Sequence, residues 1–167
     1  RNIHHPKSQH FTLKALIRNG ADINIKHDQH QNTPLMIAAS RNQVQAATLL
    51  LDKQADVNAV NNTRATALIC AAKKCHLDLM KLLIQHGSFI NHKNFQERNA
   101  LFLTVCDSRN SCHDKMATIA YLLQNQSDVN STDTFQLTPL MMAAQGGQHF
   151  ILPSLIQATI NLNIRNS

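Results

Sequence analysis

The chain is poor in the residues that build several common kinds of functional site. Its 167 residues include four glycines, four irregularly spaced cysteines and a single glutamate, Glu97. No apolar run approaches the roughly 20 residues of a membrane-spanning helix, and no charged-then-apolar leader opens the chain. These absences argue against a phosphate-cradling glycine loop, a disulfide scaffold and a membrane span.

The composition does provide enough apolar side chain for a folded core. Hydrophobic residues make up 43% of the chain, close to the globular norm. The net charge of +6 is a mild excess. It favours an acidic partner but falls short of a dedicated nucleic-acid binder. The few cysteines predict reduced thiols and a cytoplasmic location.

A short apolar motif recurs four times along the chain. It appears as TPLMIAA, TALICAA, NALFLTV and TPLMMAA, beginning at Thr33, Thr66, Asn99 and Thr138, so the spacings are 33, 33 and 39 residues. A second signature keeps step with the first, as ADIN, ADVN, SFIN, SDVN and a degenerate INLN beginning at residues 21, 55, 88, 127 and 160. Two patterns locked to one period indicate an array of small repeated units.

Each unit has the pattern of two short helices and a turn. In the first full unit, Thr33 is suited to cap a helix and Pro34 to occupy its first position. A second helix is predicted from about Val44 to Leu51, and residues 55–58 then leave it in an extended stretch. The asparagine that ends each copy of the second signature is predicted to bond backbone groups and hold the turn into the next unit.

These residues resemble the ankyrin repeat, a family with a 33-residue period and a T-P-L-H-x-A signature. The resemblance implies an all-α solenoid of stacked helix-turn-helix units with projecting hairpin loops, whose first helices and hairpin tips line a concave face. The predicted units are a partial repeat at 1–27, repeat 1 at 28–60, repeat 2 at 61–93, repeat 3 at 94–132 and a terminal capping repeat, repeat 4, at 133–167. Because the chain opens at Arg1 partway through a unit, we expect it to be a piece of a longer protein.

The chain departs from the family pattern at several repeated positions. Apolar residues replace the histidine of the signature, and we expect them to pack in the core: Met36, Ile69, Phe102 and Met141. Residues with a Cβ stand where the hairpin favours glycine, which predicts a strained positive φ or another turn: Gln31, Arg64, Glu97 and Gln136. Gln54 and Gln126 similarly follow second helices, in the place that Gly20 and Gly87 hold in other units.

Two irregularities fall in the later repeats. Repeat 3 is six residues longer than its neighbours, with the excess near 107–114. This insertion is either a tolerated loop or a further contact surface. Pro153 lies inside the predicted second helix of repeat 4, so that helix should start late or kink.

No arrangement of residues indicates catalysis, and we expect neither a cofactor nor a metal. Cys75–His76 and Cys112–His113 lie at similar places in adjacent repeats but lack any paired ligand spacing. They are predicted to be loop thiols and solvated histidines. Cys70 and Cys106 are predicted to be small apolar residues on first helices.

The candidate partner-binding residues are those that the ankyrin resemblance places on the concave face or its rim. Basic residues outnumber acidic ones there, which predicts a modestly positive groove, unless this is simply a solvated charged face. Phe95 and Phe135 are candidate anchors if exposed, although each could instead fold back onto a neighbouring repeat. The full set is Gln29, His30, Asn32, Arg41, Asn62, Thr63, Arg64, Lys73, Lys74, Phe95, Arg98, Arg109 and Phe135.

The predicted function is a protein–protein interaction scaffold, monomeric, binding an acidic surface or segment of another protein. One alternative is an anion- or RNA-binding array, which the scarcity of stacking aromatics disfavours. Another is the targeting arm of an enzyme whose catalytic domain lies outside this segment. The richness in Asn, Gln, Ile and His resembles ankyrin effectors of intracellular bacteria, which would imply a virulence role in the host cytoplasm.

Overall fold

The computed structural model describes residues 20–26, 29–106 and 112–165, with side chains left undescribed at 112–113 and 161–165. The described residues form helices and turns and no β-strand. The helices are α1 Pro34–Ser40, α2 Val44–Asp52, α3 Ala67–Ala72, α4 Leu77–Gln85, α5 Ala100–Cys106, α6 Cys112–Gln124, α7 Pro139–Gln145 and α8 Leu152–Arg165.

The first helix of every repeat begins at a polar N-cap, as predicted for Thr33. The hydroxyls of Thr33, Thr66 and Thr138 each accept a hydrogen bond from the backbone N–H three residues on, at 3.2–3.4 Å. In repeat 3, the amide oxygen of Asn99 accepts from the N–H of Phe102 at 2.8 Å. The capping position is thus kept although the threonine is not.

The helices stack in two rows. The first helices α1, α3, α5 and α7 pack side by side, the second helices α2, α4 and α6 form a parallel row, and each first helix packs against the second helix of its own repeat. The small residues Ala39, Ala71 and Ala72 are fully buried and allow this close approach. The predicted helix-turn-helix solenoid is confirmed.

A leucine at one repeated position of the second helices forms the spine of the core. Leu50, Leu83, Leu122 and Leu155 are all fully buried. All four belong to one continuous core cluster that includes residues of every repeat, so burial of these side chains helps to hold neighbouring repeats together.

The repeated asparagines also join the repeats. The side-chain oxygens of Asn24, Asn58 and Asn91 accept the backbone N–H groups of Asp56, Phe89 and Asp128 at 2.8–2.9 Å. The Asn58 amide additionally donates to the Gly87 carbonyl at 3.1 Å, and that of Asn91 to the Gln126 carbonyl at 3.3 Å. The predicted structural role is confirmed for these three asparagines, but their partners lie one repeat further along the chain.

The predicted left-handed backbone positions are confirmed. The four non-glycine hairpin residues have positive φ, namely Gln31 at 58°, Arg64 at 57°, Glu97 at 57° and Gln136 at 61°. Gln54 and Gln126, both at 63°, end second helices in the conformation that Gly20 and Gly87 adopt elsewhere. These side chains tolerate a region that glycine enters freely, at some cost in strain.

Repeat 4 corrects three predictions. Met36 is buried as expected, but the matching Met141 is 53% exposed because no further repeat covers it among the described residues. The INLN segment at 160–163 is not extended, since α8 runs from Leu152 to Arg165. Asn163, predicted to hold a turn, therefore lies inside a helix. Phe150, Ile156 and Ile160 are also exposed.

The other expectations for the later repeats have mixed outcomes. Helix α8 starts late, as predicted, which leaves Pro153 in its first turn, where the missing N–H removes no helix bond. Of the insertion near 107–114, residues 107–111 lie outside the described part of the chain, and 112–114 already belong to α6.

Candidate partner-binding surface

The hairpin tips of repeats 2, 3 and 4 are each organised by one polar side chain. The side-chain oxygen of Asn61 accepts from the N–H groups two and four residues on, both at 2.9 Å. Asn94 and Asp133 make the same pair of bonds, at 2.9 and 3.1 Å. Each tip is therefore a closed turn with a fixed shape.

Neighbouring tips are joined by their main chains. The N–H of Asn62 donates to the His30 carbonyl at 3.1 Å. One repeat on, the N–H of Phe95 donates to the Thr63 carbonyl at 3.1 Å, and then the N–H of Thr134 donates to the Gln96 carbonyl at 3.2 Å. The tips thus stand in a fixed row along one side of the array, which is the preorganisation that a binding surface needs.

Polar side chains strengthen the row at repeats 1 and 2. The Asn62 amide donates to the Gln29 carbonyl at 2.8 Å, and the Asn61 amide donates to the Asn32 side-chain oxygen at 2.9 Å. The Thr63 hydroxyl donates to Asn61 at 2.8 Å. Several of the predicted contact residues therefore already help to shape the tips.

Three predicted basic residues are open to solvent at the ends of first helices. Arg41 and Lys73 are the C-cap residues of α1 and α3, and Lys74 follows Lys73; all three side chains are exposed. Within the described residues none of them forms an ion pair. A cation at the C-terminal end of a helix is favoured by the helix dipole, and here the charge remains available to a ligand.

The two predicted aromatic anchors are exposed and do not fold back. Phe95 is 61% and Phe135 74% exposed, at the tips of repeats 3 and 4. The Arg64 guanidinium carbon lies 5.9 Å from the centre of the Phe95 ring, and Arg64 also faces Glu97 at 3.7 Å. Both pairs are largely solvated and contribute little stability.

The structure assigns Arg98 a different place from the open rim that the sequence predicts. Its Nε and Nη2 donate to one carboxylate oxygen of Asp133 at 3.1 and 2.7 Å, and its guanidinium carbon lies 5.0 Å from the centre of the Phe102 ring. Burial of Asp133 would raise its pKa, but the hydrogen bonds from Arg98 and from two backbone amides lower the pKa below its ordinary value. The Arg98 guanidinium is therefore bonded to repeat 4 and is not open to a ligand.

A buried apolar strip lies on the first helices, near the tips. Ala65, Ile69 and Leu103 form a small cluster separate from the main core, with Cys70 packed against it. Burial raises the pKa of the Cys70 thiol to about 11, although Lys73 and Lys74 partly offset the rise. The thiol is therefore protonated at neutral pH and behaves as the small apolar residue that the sequence predicts.

A buried lysine was not foreseen from the sequence. Lys115 on α6 donates to the Gln148 side-chain oxygen at 2.8 Å and reaches the Val105 carbonyl at 3.5 Å. The Gln148 amide donates to the same carbonyl at 2.9 Å. The sequence holds one signal for Gln148, because the matching position of repeat 2 is also polar; there His76 contacts the Ala39 carbonyl at 2.9 Å. The insertion hides any comparable signal for Lys115.

The prediction of a loop thiol and a solvated histidine is wrong for Cys75 and His76. Cys75 is buried and His76 bonds a backbone carbonyl. Across the described ranges, no three residues of the metal-binding types come together. The side chains of Cys112 and His113, like the whole of Arg109, lie outside the description. Burial raises the pKa of the Cys106 thiol above its ordinary value, so this side chain also behaves as a protonated, apolar residue at neutral pH.

Comparison with known proteins agrees with this architecture. A family model described as ankyrin repeats (3 copies) matches residues 7–94, and another, ankyrin repeats (many copies), matches residues 108–163. The chain belongs to the ankyrin-repeat family. Both matched models describe ankyrin repeats rather than a catalytic domain.

Individual relatives are similar over large parts of the chain. Inversin of Gallus gallus is 35% identical over 101 residues, covering 60% of this chain and 9% of inversin. The ankyrin repeat protein YahD of Escherichia coli (strain K12) is 28% identical over 151 residues, covering 90% of this chain and 74% of YahD. The ankyrin repeat protein FPV244 of Fowlpox virus (strain NVSL) is 30% identical over 132 residues, covering 79% of this chain and 18% of that protein.

The chain therefore spans a small fraction of inversin and most of YahD. These relatives come from a vertebrate, a bacterium and a virus, and they lend no support to the predicted effector origin. Among the described helices, none is long and apolar enough to cross a membrane.

Proposed function

We propose that this ankyrin array is a protein–protein interaction scaffold whose tips and first helices hold an acidic segment of a partner. The observation that carries the proposal is the presence of Arg41, Lys73 and Lys74, exposed and without ion pairs in the described residues, at the C-terminal ends of first helices whose opposite ends adjoin a rigid row of hairpin tips. Cations left unpaired on a preorganised surface attract acidic ligands and speed their association.

The exposed aromatics support a protein ligand over a nucleic acid. Phe95 and Phe135 stand singly on separate tips, whereas single-stranded nucleic acid binders combine a charged track with aromatics that stack successive bases. Single-stranded RNA is therefore the less favoured ligand. If RNA did bind, its affinity would fall steeply as the salt concentration rises.

The test compares affinity capture from a cell lysate by the chain and by two matched triple variants. One variant removes the proposed contacts through Arg41→Glu, Lys74→Glu and Phe95→Ala. The other makes the same changes of charge and aromatic content elsewhere, through Lys53→Glu, Lys81→Glu and Phe89→Ala, where Phe89 is 64% exposed.

We expect the first variant to lose protein partners that the second retains. Equal capture by both variants would contradict the proposed surface, and loss in both would indicate that net charge alone drives binding. Circular dichroism of each variant checks that the helices remain folded. Fluorescence anisotropy with single-stranded RNA at two salt concentrations tests the alternative ligand directly.

A further inference from the structure

The tip row changes its chemistry along the array. At the two outermost tip positions, repeat 1 carries Gln29 and His30, and repeat 2 carries Asn62 and Thr63. Repeats 3 and 4 place exposed phenylalanines in this row instead, at positions 95 and 135. The polar half of the row is tied down by side-chain hydrogen bonds, while the two rings project into solvent.

The row at the ends of the first helices changes in the opposite sense. Arg41, Lys73 and Lys74 supply its charge in repeats 1 and 2. The matching residues of repeat 4 are Gln145 and Gly146, which are uncharged. In repeat 3, the first helix ends at Cys106, and the basic side chains nearby, Arg98 and Lys115, are both bonded to repeat 4. Among the described residues of these two rows, the unpaired positive charge therefore lies in repeats 1 and 2, and the exposed phenylalanines lie in repeats 3 and 4.

The apolar strip lies between the two rows. Leu103 belongs to repeat 3, and Ala65, Ile69 and Cys70 belong to repeat 2, so this strip crosses the boundary between the halves. A ligand that crosses the first helices over this buried strip runs from the cationic helix ends of repeats 1 and 2 towards the phenylalanines of repeats 3 and 4.

The repeat geometry sets the spacing of the ligand's own side chains. Packed helices lie about 8–10 Å apart, and an extended chain advances about 3.3 Å per residue. One repeat therefore corresponds to about three ligand residues. Crossing a first helix of six or seven residues adds about 10 Å. Because this displacement is roughly perpendicular to the step between repeats, the diagonal from the last cation to the first phenylalanine is about 13 Å, or about four ligand residues.

We propose that the surface selects an extended protein segment of two-part chemistry, with acidic residues at one end and apolar residues at the other. The acidic pair, about three residues apart, meets Arg41 and the Lys73–Lys74 pair. The apolar pair, about four residues further on, meets Phe95 and Phe135. This inference rests on the proposed function and adds the order and spacing of the partner's residues.

The test uses fluorescein-labelled peptides of about 15 residues, sized to these spacings, in anisotropy titrations with the full chain. One peptide has two glutamates followed by two leucines at the proposed spacing, and a second has the same sequence reversed, because the rows do not fix chain direction. A third has the same composition with glutamates and leucines interleaved. Further peptides replace the glutamates by glutamine or the leucines by serine.

Two variants locate each end of the peptide by double-mutant cycles. They are Arg41→Gln with Lys74→Gln, and Phe95→Ser with Phe135→Ser, all surface changes. We expect one segregated peptide to bind about tenfold or more tighter than the interleaved one, a difference of about 1.4 kcal/mol. Replacing the glutamates should lower affinity for the Phe95→Ser, Phe135→Ser variant, which keeps its cations, but not for the Arg41→Gln, Lys74→Gln variant. Replacing the leucines should lower affinity for the Arg41→Gln, Lys74→Gln variant but not for the Phe95→Ser, Phe135→Ser variant.

The outcomes separate this inference from the proposal beneath it. If segregated and interleaved peptides bind equally, or if the glutamates couple to the phenylalanines, the two-part order is wrong while acidic-segment binding stands. If no glutamate peptide binds more tightly than its glutamine counterpart, the acidic partner itself is wrong. A benzophenone at the leucine end that crosslinks near residues 41 and 74 would also overturn the order.

Discussion

The boundary between repeats 1 and 2 and the boundary between repeats 3 and 4 are built on the same plan from different chemistry. At one tip contact, the neutral Asn61 amide donates to Asn32 at 2.9 Å. The matching residues across the later boundary are Asp133 and Arg98, a buried ion pair at 2.7 Å. At the C-terminal ends of the first helices, His76 contacts a carbonyl of repeat 1 across the first boundary. Gln148 contacts the matching carbonyl of repeat 3 across the later boundary, and Lys115 bonds to Gln148.

The difference shows that stacking sets the geometry and leaves the polar contacts free to vary. A neutral amide pair loses little if one partner is removed, because the remaining group is easily solvated at the surface. A buried charge left without its partner keeps its desolvation cost. We therefore expect the later boundary to be the more sensitive to single substitutions.

The largest expected effect is that of Arg98→Ala, which leaves the fully buried Asp133 carboxylate without its counter-charge. We expect the free energy of unfolding to fall by about 3–5 kcal/mol, measured by urea denaturation. Arg64→Ala is the matched control, because its pair with Glu97 is about half exposed on both sides and contributes at most about 1 kcal/mol.

A double replacement sharpens the same comparison. Arg98→Asn with Asp133→Asn copies the neutral pair of the first boundary, and it should recover most of the stability that Arg98→Ala loses. If the double variant is no more stable than Arg98→Ala, the ion pair itself is needed to hold repeat 4, and the loss does not come only from an unpaired carboxylate.

Removing a core leucine tests the role of neighbours. Leu83→Ala, in the interior, should cost about 2–5 kcal/mol. Leu155→Ala occupies the matching position of repeat 4, which has a described neighbour on one side only. We expect Leu155→Ala to lower amide-exchange protection mainly in α7 and α8. We expect Leu83→Ala to lower it in all repeats. The reverse pattern would contradict nearest-neighbour stabilisation.

The pH dependence of the later boundary follows from the lowered pKa of Asp133. A carboxyl whose folded pKa lies below its unfolded value contributes stability that is complete at neutral pH. This contribution is lost as the pH falls below about 4 and through the folded pKa. Urea denaturation between pH 7 and pH 2.5 should show a steeper acid loss for the chain than for Asp133→Asn, and equal slopes would contradict the assignment.

The smallest expected effect concerns the strained helix ends. Gln126→Gly relieves a positive φ of 63°, but it also makes the unfolded chain more flexible. We expect a net gain of about 0.5 kcal/mol at most. Gly87→Ala, at a φ of 84° with open space around its Cα, should instead destabilise, and a thermal melt of both variants compares the two.

Much of the architecture could be predicted because it depends on local, repeated signals. The capping hydroxyl of Thr33, the positive φ of Gln31 and the buried position of Leu83 each recur at a fixed spacing, so one residue's role is supported by its counterparts. The exposure of Met141 could not be predicted in this way, because burial at that position requires a neighbouring repeat on its far side.

The candidate surface was less predictable for a related reason. Exposure of Phe95 and Phe135 depends on three-dimensional packing that the pattern left open. Arg98 and Lys115 could not be assigned because each pairs with one residue more than 30 positions away. The positions of Arg98 and Asp133 carry Asn32 and Asn61 at the first boundary, so the period gave no sign of an ion pair there, and no counterpart of the Lys115 contact is seen in the other described repeats.

The hydrogen bonds between neighbouring tips have a consequence for how this molecule can change over generations. Positions 62, 95 and 134 carry Asn, Phe and Thr, yet each donates its N–H to the preceding tip at nearly the same distance. Since the main chain makes this bond, the row of tips does not depend on one type of side chain there, even though the Asn62 amide adds a bond to the Gln29 carbonyl. These positions can accept new residues with little risk to folding, which makes the tips a natural starting point for libraries that select new specificities.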